Sequence, residues 1–139
     1  MYKKILTPVD GSEHSKHALK QGAKLAKLTG AQLTVIHVLD LPPQLKSLKS
    51  YPLVKDQLRD EGKKIIAEAG EICAAMGISY TDKVVVGVPA DEVLQEQEEG
   101  GYDLLVIGSR GMGEVKGWIL GSVSTRVVRY AKCPVLVVK

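Results

Sequence analysis

A chain of 139 residues fits one compact domain and leaves little room for a second. Its 45% hydrophobic and 25% charged residues are the balance of an ordinary globular protein and exclude intrinsic disorder. Nineteen basic residues against 16 acidic ones leave a formal charge of only +3, spread along the chain without a block, which excludes a concentrated nucleic-acid-binding face.

Phe is absent, so the core must be aliphatic, and short runs of Val, Ile, Leu and Ala suit a parallel sheet buried under helices. Ile5 to Val9 reads as the first strand. It ends at Asp10-Gly11-Ser12, where Ser12 can cap a helix running to Leu28, with Ala18, Leu19, Gly22, Ala23 and Ala26 on one face and Gly30 as its stop. Leu33 to Leu39 is the second strand, and Asp40 to Pro52, with Pro42, Pro43 and Pro52, reads as a long loop. A long helix follows, carrying Leu58, Ile65, Ile66, Ala69, Ile72, Cys73 and Met76 at three and four spacing and stopping at Gly77. Lys83 to Val88 is the third strand. Pro89 then opens a helix whose first turn holds Asp91 and Glu92 and which ends at Gly100-Gly101. Leu104 to Ile107 is a fourth strand without polar alternation, as expected where both faces are covered. Gly108 to Leu120 is glycine-rich, Val123, Val127, Val128 and Ala131 mark the last helix, and Val135 to Val138 is the fifth strand.

Strands alternating with helices make an α/β protein, a single-domain open parallel five-stranded sheet with helices on both faces. No run of about 18 apolar residues occurs and the N-terminus enters a strand directly, so no membrane partner is expected and the cytoplasm is the expected location. Cys73 and Cys133, far apart and outside any CxxC pattern, are expected to be buried small hydrophobes.

Ligands of open α/β sheets bind beyond the carboxyl ends of strands, where the winding reverses. Two strand ends carry unusual residues. The first reads Thr7-Pro8-Val9-Asp10-Gly11-Ser12; the fourth reads Gly108-Ser109-Arg110-Gly111, followed nine residues later by Gly121-Ser122-Val123-Ser124. The chemistry this suggests is anion binding. Gly108 and Gly111 permit tight turns and close backbone approach, while Gly121 and Ser122 open a helix whose free N–H groups and positive dipole end favour phosphate. A branched side chain at Gly121 is expected to occupy phosphate space. Each residue also has a purely structural reading: Asp10 or Ser122 as a helix cap, Gly111 and Gly113 as loop punctuation, Arg110 and Lys116 as solvated charges, Trp118 as a loop cover or an interface residue. His14 and His17 lack a third ligand and read as surface residues, and His37 as a satisfied core histidine.

The spacing Gly108-x2-Gly111-x9-Gly121-Ser122 matches the G-2x-G-9x-G-(S/T) signature of ATP-binding universal stress proteins. Tyr2 to Leu6 with Pro8 to Ser12 resembles that family's opening, His37-Val38 its second strand, Val86 to Pro89 its third junction, and Cys133 to Val138 its ending. The resemblance covers essentially the whole chain and is weakest over Pro42 to Lys55. It implies an adenine-nucleotide alpha-hydrolase-like sheet of strand order 3-2-1-4-5 and a stress-response module binding ATP, with Mg2+. By position it implies that Asp10, flanked by Pro8 and Val9, meets the ribose region and that the Val38 backbone meets adenine. Ile107 and Gly108 would floor the site; Gly111, Gly121, Ser122, Val123 and Ser124 would clamp phosphate.

That strand order also makes the fifth strand an outer one, so Val135, Leu136, Val137 and Val138 are expected to pair with a second copy in a homodimer. A dedicated enzyme is not expected, since no Walker A lysine and no strand-following GxGxxG occur. Slow ATP hydrolysis or autophosphorylation at Ser122 or Ser124 stays open, as does a scaffold that binds no nucleotide. A receiver domain fails because no carboxylate ends the third strand.

Overall fold

A computed structural model describes residues 1–111 and 120–139. Five strands, β1 (Lys4–Pro8), β2 (Gln32–Asp40), β3 (Tyr80–Gly87), β4 (Leu104–Gly108) and β5 (Val135–Val138), alternate with four α-helices, α1 (Glu13–Thr29), α2 (Tyr51–Ala75), α3 (Pro89–Glu99) and α4 (Ser122–Tyr130). The sheet is parallel throughout with order β3-β2-β1-β4-β5. The chain winds outward from β1 to β3 on one side, then returns to β4 beside β1, with Ile5 opposite Leu104 and Leu6 opposite Leu105. The winding therefore reverses between β1 and β4.

Side-chain alternation divides the core into two layers. Ile5, Leu33, Val35, Leu104 and Val106 pack with Ala18, Leu19, Ala23 and Ala26 of α1 and Ala69 and Cys73 of α2. Leu6, Ile36, Leu105 and Ile107 pack with Val93 of α3 and Val127 of α4. All five residues of β4 are buried, which is why its sequence shows no polar alternation. Gly22 lets α1 lie close on β1, for a Cβ there would stand 2.7 Å from Thr7 Oγ1. Thr7 is fully buried, and its hydroxyl is the only buried side-chain polar atom without a hydrogen-bond partner among the described residues.

Helix α1 begins and ends as its sequence predicts. Ser12 Oγ accepts from Ser15 N, and Gly30 closes the helix at φ 73°, a left-handed conformation that suits glycine. Two boundaries differ from expectation. β3 starts at Tyr80 rather than Lys83, because the nine-residue β2 offers a partner at every position from Leu33 opposite Tyr80 to Asp40 opposite Gly87. Tyr80 to Val84 are exposed on this outer strand, so Thr81, Asp82 and Lys83 gave no apolar signal. The expected loop holds a short 3-10 turn over Pro43–Ser47, and Pro52 belongs to the first turn of α2, where a missing N–H costs nothing.

Cys73 is fully buried, and loss of water pushes its thiol up to about 11. Cys133 departs from expectation. It precedes β5 and is only partly buried, with its thiol also raised by desolvation.

A candidate anion cleft at the reversal of the sheet

The end of β1 is shaped by its own hydrogen bonds. Asp10 Oδ1 accepts from Ser12 N at 2.9 Å and Ser12 Oγ at 2.5 Å, bending the chain over Gly11, whose φ of 85° suits glycine. Ser15 Oγ accepts from Asp10 N at 3.3 Å and donates to Ser12 O at 3.0 Å. Ser12, not Asp10, therefore caps α1, and Asp10 fixes the turn through one carboxylate oxygen. Its other oxygen faces the far bank, where a Cβ on Gly111 would lie 2.6 Å from Oδ2.

The far bank belongs to β4 and α4. Ser109 N donates to Val138 O at 2.7 Å and Ser109 O accepts from Gly121 N at 2.8 Å, joining the strand end to the helix start. A Cβ on Gly108 would stand 2.8 Å from the His14 carbonyl carbon, so only glycine lets β4 end against the first turn of α1. Gly121 is the N-cap of α4, extended at φ −65° and ψ 166°, and no side chain caps the helix among the described residues. The first helical bond runs from Thr125 N to Gly121 O at 2.9 Å, so the N–H groups of Ser122, Val123 and Ser124 have no carbonyl of their own helix.

The eleven positions singled out by the sequence, Pro8, Val9, Asp10, Val38, Ile107, Gly108, Gly111, Gly121, Ser122, Val123 and Ser124, all line one cavity of about 430 Å3. One of them plays a role the sequence did not suggest. The Ser124 hydroxyl donates to Gly108 O at 2.6 Å and the residue is 3% exposed, so Ser124 ties α4 to the end of β4 and offers an anion only its backbone N–H. A Cβ on Gly121 would stand 3.3 Å from Arg110 Cα, so a branched residue there would also press on the turn that follows β4.

The cavity also draws on residues that sequence patterns hid. Leu58, Glu61 and Ile65 of α2 line it, with Ser15, His37, Asp40, Pro89, Val93 and Arg110. Their three-and-four spacing marks a helix face, but nothing in it says that α2 overhangs the strand ends. Arg110, read as a solvated charge or a phosphate contact, sends one guanidinium N–H to His14 Nε2 at 3.3 Å. His17 Nδ1 instead lies 3.3 Å from Lys139 O, so the two histidines take different partners. The expectations for Gly113, Lys116 and Trp118 fall outside the described residues. Among the described residues no group of three or more His, Cys, Asp or Glu side chains is placed to hold a metal. A larger hollow of about 840 Å3, between Lys16, Lys20 and Lys24 of α1 and Glu68 and Ile72 of α2, contains none of the glycines.

Fold and cleft together define a doubly wound α/β protein with a glycine-lined crevice at the switch point, facing an uncapped helix N-terminus. The family model described as the universal stress protein family matches residues 1–139, and the chain belongs to that family. Universal stress protein MJ0531 of Methanocaldococcus jannaschii is 36% identical over 141 positions, covering 100% of this chain and 83% of that protein. The solved structure of hypothetical protein MJ0577, from the same organism, superposes with a TM-score of 0.86 at 34% identity, covering 100% of this chain and 96% of that one. A universal stress protein solved in complex with cAMP superposes at 0.71 with 27% identity, covering 99% and 97%.

Proposed function

We propose that residues 1–139 form one nucleotide-binding domain that holds an adenine nucleotide, ATP with Mg2+, in this cleft and acts as a regulatory stress-response module. The observation that carries the reading is the meeting of Asp10, Gly108, Gly111 and the free first turn of α4 around one 430 Å3 cavity. Glycines that lack room for a Cβ bring backbone N–H groups close to a phosphate, and the helix terminus adds about 0.3–1 kcal/mol, rising to ~2 when partly buried. Hydrogen bonds to the charged ligand add roughly 1.5–3 kcal/mol each. A relative at 27% identity in complex with cAMP supports the ligand class.

In this reading Gly111, Gly121, Ser122, Val123 and Ser124 hold phosphate through their backbone, Ile107 and Gly108 form the floor, and the Val38 backbone faces the base. Asp10, flanked by Pro8 and Val9, presents Oδ2 to the ribose and phosphate region, and Mg2+ on a triphosphate offsets the repulsion between the two. Binding rather than turnover is the activity proposed, since Asp10 already spends Oδ1 on its own turn. The domain is cytoplasmic in this reading and dimerises through β5. No helix among the described residues is long and apolar enough to cross a membrane.

Mass spectrometry of small molecules released from freshly purified protein, followed by calorimetric titration with ATP, ADP and AMP, tests the proposal. An adenine nucleotide carried through purification, with re-binding in the micromolar range, is expected. Protein that releases no nucleotide and takes up none in titration overturns it.

A further inference from the structure

Phosphate-holding backbone does not select a base, so the selection must come from the other end of the cleft, and one buried side chain there keeps an unused acceptor. His37 of β2 is 7% exposed and lines the cavity. Its Nδ1 lies 2.8 Å from Val9 O, and a carbonyl can only accept, so Nδ1 carries the proton and Nε2 of the neutral ring is left as an acceptor. Nε2 has no partner among the described residues, yet Thr7 Oγ1 is the only fully buried side-chain polar atom lacking one. Nε2 therefore keeps some exposure, on a ring that lines the cleft.

Gly62 of α2 keeps that approach open. A Cβ at position 62 would stand 3.1 Å from His37 Cδ2 and 3.4 Å from Nε2. The other side-chain acceptors at this end, Asp40 and Glu61, are exposed carboxylates, which leaves His37 Nε2 as the side-chain acceptor at depth.

From this geometry we infer that His37 Nε2 accepts a hydrogen bond from an N–H or O–H group of the bound nucleoside, making His37 a specificity-determining residue of the cleft. The inference rests on the nucleotide reading above. The donor is either the exocyclic amine of a 6-aminopurine or a ribose hydroxyl. One neutral hydrogen bond of about 0.5–1.5 kcal/mol corresponds to a preference of roughly 3- to 10-fold over a nucleotide lacking the donor.

The test is NMR of the full 15N-labelled chain, reading the His37 ring nitrogens and the amides of Gly108, Gly111 and Gly121 during titration with AMP, IMP and 2′,3′-dideoxy-AMP. With AMP, the Nε2 resonance is expected to move upfield in step with the glycine amides. If the exocyclic amine is the donor, IMP binds roughly 3- to 10-fold more weakly and leaves Nε2 unmoved, while the dideoxy nucleotide behaves as AMP does. If a ribose hydroxyl is the donor, those two results exchange. His37→Leu should erase the preference, and because it also strips Val9 O of its donor, Gly62→Ala serves as a second variant that blocks Nε2 with the ring in place. Saturable shifts at the glycines with Nε2 unmoved by AMP and equal affinity for all three ligands overturn this inference alone. Absence of saturable shifts at the glycine amides overturns it together with the nucleotide reading.

Discussion

At the scale of single residues, the cleft depends on side chains that are missing. Gly111 faces Asp10 so closely that a Cβ would lie 2.6 Å from Oδ2, and Gly108 is pressed on the His14 backbone. A Gly111→Val exchange is expected to weaken nucleotide binding at least 10-fold with little change in thermal stability, since the position is exposed and outside the core. Unchanged affinity by calorimetry would remove Gly111 from the clamp. Thr7 offers the opposite case, a side-chain atom the fold does not use. Burying a hydroxyl without a partner costs about 1–3 kcal/mol, and Val has nearly the same shape. Thr7→Val is expected to stabilise the domain by ~1 kcal/mol, read as a higher denaturant midpoint; a lower midpoint would show that the hydroxyl has a partner after all.

At the scale of elements, strand ends are tied by charged as well as apolar groups. Asp103, just before β4, accepts from Lys3 N at 2.8 Å and Lys4 N at 3.0 Å, and so joins the starts of β1 and β4. Partial desolvation raises its pKa, but the N–H groups of Lys3 and Lys4 outweigh this and hold it below the ordinary carboxylate range. A carboxyl depressed in the folded state stabilises fully above its unfolded value, near ~4, and that contribution disappears as pH falls through the native value. The stability gap between wild type and Asp103→Asn should therefore be widest at neutral pH and narrow below about pH 4. A gap constant from neutral to acid would refute the assignment.

Legibility also followed the elements. β5 is an aliphatic run although Leu136 is exposed, and β1, β2 and β4 were readable as short aliphatic runs because both sheet faces are covered where those runs lie. The start of β3 was not, because an outer strand tolerates Thr81, Asp82 and Lys83 and its pairing is dictated by β2. The same contrast holds in the cleft. Its glycine end is local, built from turns and a helix start whose residue types and spacing show in the chain. Its other end is assembled by the packing of α2 over the sheet, so Leu58, Glu61, Ile65 and the free nitrogen of His37 carry no local mark.

At the scale of the whole molecule, the sheet ends in two outer strands of different character. β3 shows Asp82 and Lys83 to solvent, charges that discourage edge pairing, whereas β5 consists of Val135, Leu136, Val137 and Val138, with Leu136 38% exposed. The proposed dimer is expected to form across β5, and Leu136→Lys should shift sedimentation from dimer to monomer while leaving nucleotide affinity unchanged. A wild-type chain that sediments as a monomer at micromolar concentration contradicts the dimer.

The backbone of Ser109 gives this arrangement a mechanical side. Its N–H holds the carbonyl of Val138 and its carbonyl holds the amide of Gly121, so one residue joins the outermost strand to the mouth of the crevice through main-chain bonds alone. A shift of that residue from one end meets the other with no side chain between them, so filling the crevice is expected to be felt at the sheet's rim.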